Sequence, residues 1–195
     1  MLTSSMSSLP TPDEALHPIV IVAGTFDILH DGHYLMLHAA FSHGAFVEVW
    51  LSDDAMCAAK ALRCNQRISS WASRSASVAA WIDDQTESSV RDFCARAAVA
   101  CGAAAVAVVI PRVAVPYAGR HAEFELHDTL GPAATEARYT AIVCSQETRE
   151  GVDAVNANRE AMGLIALTII EIPMWLKSTG DKLSSTLLRA KAHVV

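Results

Sequence analysis

An uninterrupted apolar run at residues 19–23 leads directly into the segment Gly24-Thr25-Phe26-Asp27-Ile28-Leu29-His30-Asp31-Gly32-His33, and a helical pattern follows it. Continuous β-branched residues are typical of a strand buried on both faces, as strands of parallel sheets are. The order strand, tight loop, helix therefore predicts one unit of an open α/β sheet, with this loop at the carboxyl edge.

The same alternation of strand and helix patterns continues along the 195 residues. We expect strands at 18–23, 46–51, 103–110, 122–126, 141–144 and 164–172, and helices at 32–43, 71–82, 87–101, 151–162 and 184–192. Right-handed crossovers between such strands predict a Rossmann-like open parallel sheet with helices on both faces. The first strand should lie where the strand order reverses, and the alternating segment 122–126 should be either an edge strand or a partly exposed one.

Length and composition bound the organisation of the chain. We expect a single domain over residues 18–195, a disordered Ser/Thr/Pro-rich tail over 1–17, and an insertion without motifs near 84–121. The tail has no apolar segment of a secretory signal, and no apolar run is long enough to cross a bilayer, so we expect a cytoplasmic protein.

Charge and cysteine content narrow the function classes. The formal net charge of −6 disfavours binding to nucleic acid or to anionic membranes, since both require a basic surface. The five cysteines are odd in number and form no Cys-x-x-Cys pair, which favours reduced thiols over a disulfide framework or a zinc site. Any phosphate-binding site on this chain is therefore expected to be local.

His30 and His33 are the first candidates for such a site. They flank Gly32 at a predicted helix start, where free backbone N–H groups and the helix dipole favour anions. Positioned donors of this kind stabilise the charge that builds on phosphate oxygens during in-line transfer. The alternative is a pair of ordinary loop histidines, which their place in Gly-Thr-Phe-Asp-x-x-His-x-Gly-His after a strand disfavours.

A second candidate phosphate site lies late in the chain. Lys182 precedes the hydroxyls of Ser184, Ser185 and Thr186 at another predicted helix start, and Arg189 lies four residues beyond Ser185 on the same helix face. A plain helix cap with a solvated arginine is the alternative. Together with the first loop, two helix ends directed at one polyphosphate are the better explanation.

These two segments resemble nucleotidyltransferases that have a HxGH loop and a late Ser/Thr-Ser/Thr-x-x-x-Arg helix. Within that class the chain most resembles the archaeal and eukaryotic type of phosphopantetheine adenylyltransferase, including the corresponding domain of bifunctional CoA synthase. Further matches to this type are Lys60, Arg74, and the segments 128–132, 144–148 and 156–159. The chain departs from it at Ala23, where the family has a glycine, and at 69–73, where it lacks the usual acidic residues.

The resemblance implies transfer of AMP from ATP to 4′-phosphopantetheine, with dephospho-CoA and pyrophosphate as products and Mg²⁺ bridging the nucleotide phosphates. Implied catalytic residues are His30, His33, Lys60 and Arg189. Implied nucleotide-binding residues are Gly24, Thr25, Phe26, Gly32, Ser145, Ser184, Ser185 and Thr186. Implied acceptor-binding residues are Thr25, Lys60, Arg74 and Asp128. No protein cage for a metal is implied. Asp27 is expected to cap the loop, and contact with the metal is the alternative.

Several alternatives stay open at this point. Lys60 could be a surface lysine, with Arg63 or Arg67 serving in its place. The same two motifs also serve cytidylyltransferases that act on a small phosphorylated alcohol. A nucleotide-binding module without turnover is a third possibility, but the intact His30 and His33 disfavour it.

Overall fold

The computed structural model describes residues 16–65, 67–102 and 117–175. Its strands, in chain order, are β1 (His17–Gly24), β2 (Gly44–Ser52), β3 (His121–Leu126), β4 (Ala141–Ser145) and β5 (Thr168–Ile172). They form one sheet in the order β3-β2-β1-β4-β5, and every neighbouring pair is parallel. The predicted open parallel sheet is confirmed, with β1 where the order reverses and β3 at an edge.

Five α-helices connect these strands within the described ranges. They are α1 (Asp31–His43), α2 (Asp54–Cys64), α3 (Trp71–Asp83), α4 (Glu87–Cys101) and α5 (Arg149–Ala161). Side chains accept hydrogen bonds from the first backbone N–H groups of four of them, which satisfies donors that a helix start otherwise leaves unpaired. The four capping residues are His30, Asp53, Ser70 and Thr86.

Helices cover both faces of the sheet, as predicted. Val20 and Val22 of β1 point into a core formed with α1, α3 and α4. Ile21, between them, points to the opposite face and packs with Val152 and Val155 of α5. Because successive residues of a strand face opposite sides, a continuous apolar run is what a doubly covered strand requires.

The prediction places the start of the last strand too early in the chain. We expected it to begin at residue 164, but β5 begins at Thr168. The preceding residues bond to α5 instead, since Arg159 Nε donates to the Ile165 carbonyl at 2.7 Å and the Leu167 N–H donates to Asn156 Oδ1 at 2.8 Å. Apolar composition alone does not distinguish such a connection from a strand.

The segment expected to be an insertion contains α4. Val90, Phe93 and Ala97 of this helix are buried in the same core as α1 and α3. The expected strand at 103–110 and helix at 184–192 lie outside the described residues, as does the expected tail up to residue 15. None of the described helices is long and apolar enough to cross a membrane.

Candidate active site

The loop after β1 has a tightly determined shape. Phe26 is fully buried and adopts a left-handed φ of 50°, which is uncommon for a residue with a side chain. A Cβ atom on Gly24 would lie 3.1 Å from the Phe26 ring, so a glycine fits this approach. Asp27 Oδ1 accepts a hydrogen bond from the Ser69 backbone N–H at 2.8 Å, which joins the loop to the start of α3. The expected capping of its own loop by Asp27 stays a prediction.

His30 is the N-cap residue of α1. Its Nδ1 atom accepts a hydrogen bond from the Gly32 N–H at 3.1 Å, so the ring proton of neutral His30 is on Nε2. A Cβ atom on Gly32 would lie 3.0 Å from the Cε1 atom of this ring, which explains the glycine between the two histidines. The cap therefore makes Nε2 the hydrogen-bond donor of this imidazole.

His33 stacks on His30, with ring centroids 4.0 Å apart. Burial, and then the neighbouring His30, lower the pKa of His33 to about 3, and interaction with the Ile28 backbone opposes this shift only in part. His33 is therefore neutral at physiological pH. The sequence left open whether this group acts as a cation or as a hydrogen-bonding group, and its lowered pKa favours the second.

Lys60 lies beside Thr25. Its Nζ atom donates to Thr25 Oγ1 at 3.1 Å, although the two residues are 35 positions apart in the chain. Both side chains are half-buried, whereas Arg63 and Arg67, the alternatives to Lys60, are exposed. The structure thus brings together the ammonium and the hydroxyl that were expected to contact the acceptor phosphate.

Arg74 was also expected to contact the acceptor, but its surroundings differ from those of Lys60. Its side chain is fully buried and donates to three backbone carbonyls and to the Asp54 carboxylate. The guanidinium therefore faces the protein rather than open space. Its expected contact with the acceptor stays a prediction.

Other residues expected at this edge form local turns. Asp128 Oδ1 accepts hydrogen bonds from the backbone N–H groups of Leu130 and Gly131, at 2.9 and 2.7 Å. The Ser145 N–H donates to Thr148 Oγ1 at 3.0 Å, at the carboxyl end of β4. Ligand binding by Asp128 and Ser145 stays a prediction. The residues from Lys182 to Arg189 lie outside the described part of the chain.

The structure adds a cleft that sequence reasoning missed. It has a volume of about 490 Å³ and lies on the β1 and β4 face that α5 covers, between the loop after β3 and the start of α5. Apolar and small side chains dominate its lining, and no lysine, arginine or aromatic residue is among the described residues that line it. Two segments matched to the family by sequence, 128–132 and 144–148, contribute to its lining, but nothing in either segment predicted a cavity. Gly24 lines the cleft, so the cleft adjoins the loop that contains Thr25.

One protein family and several known proteins are similar in sequence to this chain. Residues 21–191 match the family described as cytidylyltransferase-like. A phosphopantetheine adenylyltransferase from Thermococcus kodakarensis is 30% identical over 171 residues, which cover 88% of this chain and 84% of that protein. One from Pyrococcus furiosus is 29% identical over 171 residues, covering 88% of this chain and 86% of its own.

One solved structure supports the fold alone. The crystal structure of a protein with unknown function from Archaeoglobus fulgidus gives a TM-score of 0.51 at 18% identity, over 78% of this chain and 87% of that one. The sequence relatives decide the family, because they are more similar and span most of both chains. The chain therefore belongs to the cytidylyltransferase-like family, and its relatives in that family include archaeal phosphopantetheine adenylyltransferases.

Proposed function

We propose that this protein transfers AMP from ATP to the phosphate of 4′-phosphopantetheine, giving dephospho-CoA and pyrophosphate. Archaeal relatives at about 30% identity are named for this activity. The structural observation that best supports the proposal is the cleft lined by Gly24, because the next residue, Thr25, pairs with Lys60. The acceptor 4′-phosphopantetheine carries a phosphate at one end of a long uncharged arm. It therefore requires a cationic environment next to a largely apolar one.

The chemistry of the cleft favours this acceptor over a small phosphorylated alcohol. At about 490 Å³ the cleft is within the usual size range of ligand sites, and it is far larger than a glycerol moiety needs. The described lining contains no aromatic face for the quaternary ammonium of phosphocholine. Glu147 and Glu150 also line it, so a phosphate would be repelled there and would bind at Lys60 instead.

The reaction needs alignment more than acid–base chemistry. A phosphate oxygen of the acceptor attacks the α-phosphorus of ATP, the new P–O bond forms, and the bond to the bridging oxygen breaks as pyrophosphate leaves. The acceptor phosphate is largely ionised at neutral pH, so no general base is required. Lys60 and Thr25 would hold this acceptor, while His30 and His33 would donate hydrogen bonds to the α-phosphate.

The triphosphate requires further charge compensation. Mg²⁺ that arrives with ATP would neutralise part of this charge, and the described residues include no cluster of three side chains that could hold the ion without the nucleotide. Lys182, Ser184, Ser185, Thr186 and Arg189 are proposed to bind the β- and γ-phosphates, by their resemblance to the family motif. The acceptor phosphate, which attacks, and the pyrophosphate, which leaves, are thus bound by different residues.

A substrate panel tests the proposal. Pyrophosphate release is measured with ATP or CTP, each combined with 4′-phosphopantetheine, phosphocholine or glycerol 3-phosphate. We expect release only with ATP and 4′-phosphopantetheine. Turnover of CTP with either small phosphate would establish the cytidylyltransferase alternative, and nucleotide binding without pyrophosphate from any pair would favour a binding module.

A further inference from the structure

We propose that Arg74 is a positioning residue that sets the geometry of the Lys60–Thr25 pair without contacting the substrate. The inference rests on the proposed function, because it assigns this pair to the acceptor phosphate. The proposal is an alternative to the direct contact with the acceptor that the family resemblance implies for Arg74.

The contacts of Arg74 converge on the two partners of the pair. Its Nη1 atom donates to the Thr25 carbonyl at 2.8 Å, which fixes the backbone from which Thr25 Oγ1 projects. Its Nη2 atom lies 3.1 Å from Asp54 Oδ1. Asp54 is the first residue of α2, and Lys60 follows less than two turns along that helix. One guanidinium therefore links to the backbone of Thr25 and to the helix that carries Lys60.

Two further contacts fix Arg74 itself. Nη2 also donates to the Ser52 carbonyl at 2.8 Å, at the end of β2, and Nε donates to the Ser69 carbonyl at 2.9 Å. The side chain is only 1% exposed. A planar guanidinium offers five N–H donors in a fixed fork, and a lysine ammonium, with three, cannot reproduce these directions.

The histidines are held by a different set of contacts. His30 is fixed by its hydrogen bond from the Gly32 N–H and by stacking on His33, and neither histidine is among the described partners of Arg74. Disturbing Arg74 should therefore affect the acceptor more than the nucleotide. A purely stabilising residue would instead lower the amount of folded enzyme without changing the KM of one substrate selectively.

Steady-state kinetics of Arg74→Lys test this separation. We expect the KM for 4′-phosphopantetheine to rise at least tenfold, while the KM for ATP changes by less than threefold. Arg120→Lys is the matched control, because Arg120 binds the Gly44 and Ala45 carbonyls at the opposite edge of the sheet. We expect both KM values of this control to stay within twofold of wild type.

Asp54 provides a second test that leaves Arg74 in place. Asp54→Ala removes the link to α2 and should raise the KM for 4′-phosphopantetheine at least threefold. Asp54→Asn keeps an oxygen that accepts from Arg74 and from the Trp71 N–H, so its KM should stay within twofold of wild type. If Arg74→Lys does not fold, these two variants decide the question.

The outcomes separate this inference from the proposed function. Equal changes in both KM values, or unchanged values in folded Arg74→Lys and Asp54→Ala, would overturn the inference while wild-type turnover stands. Failure of the wild-type enzyme to use 4′-phosphopantetheine would instead overturn the function on which the inference rests.

Discussion

Replacement of His33 by alanine tests the central chemical assignment. The imidazole is neutral and is proposed to donate to the α-phosphate as charge builds on it. A hydrogen bond to a charged group contributes about 1.5–3 kcal/mol, and each 1.4 kcal/mol corresponds to about tenfold in rate. If the bond is made mainly in the transition state, His33→Ala should lower kcat by about 10- to 150-fold.

The assay measures pyrophosphate release, with thermal unfolding as a check on the fold and His43→Ala, at the far end of the same helix, as the control. Because the pKa of His33 in the free enzyme is about 3, its contribution to kcat/KM for ATP should not titrate between pH 5.5 and 8. The wild-type to variant ratio of kcat/KM should therefore be constant over this range. An unchanged kcat would remove His33 from its role, and a ratio that falls tenfold on raising the pH would show that the charged imidazole is the active form.

Three further results are expected. Lys60→Met should raise the KM for 4′-phosphopantetheine at least tenfold and leave the KM for ATP within threefold, and an equal rise in both would contradict the separate assignment. Ala154 is exposed and lines the cleft, so Ala154→Trp should block the acceptor arm. Calorimetry should show unchanged ATP binding and tenfold weaker binding of 4′-phosphopantetheine. An unaltered affinity for 4′-phosphopantetheine would exclude this cleft as its site. Burial, and then Arg96, lower the pKa of His38 to about 3, whereas the unfolded state binds its proton near pH 6.5. The contribution of His38 to stability should therefore fall below pH 6.5, by about 2 kcal/mol at pH 5, and the loss from His33 adds to it. Urea unfolding at pH 7.5 and 5 measures this loss of stability. The loss should be smaller in a His38→Phe, Tyr117→Phe double variant, which removes both partners of the His38–Tyr117 hydrogen bond. An identical loss in wild type and variant would refute the assignment to His38.

Local sequence signals predicted the fold well. The run before Gly24 predicted a doubly covered strand because burial on both faces requires apolar residues at every position, and Val20, Ile21 and Val22 satisfy it. The loop with His30 and His33 was found because both residues lie in one short segment. Thr25 and Lys60 were paired through family resemblance, since nothing local in either segment indicates a contact.

Features that depend on contacts made only in the folded chain could not be predicted from the sequence. The neutral state of His33 follows from burial, and the function of Arg74 follows from carbonyl groups contributed by three different segments. The cleft forms where two loops meet the sheet, and the start of β5 is set by hydrogen bonds to α5. In each case the decisive contacts form only in the folded chain, so no motif or periodicity records them.

The reversal of strand order at β1 explains why one strand end can serve both substrates. The helix α1 packs on one face of the sheet and directs its N-terminus, with His30, at the carboxyl edge. The cleft lies on the other face, and Gly24 at the end of β1 belongs to its lining. In-line transfer requires the attacking and leaving oxygens on opposite sides of the phosphorus. An acceptor that arrives from the cleft side and a nucleotide held at α1 would meet this requirement, because the two connections diverge from neighbouring strands at that point.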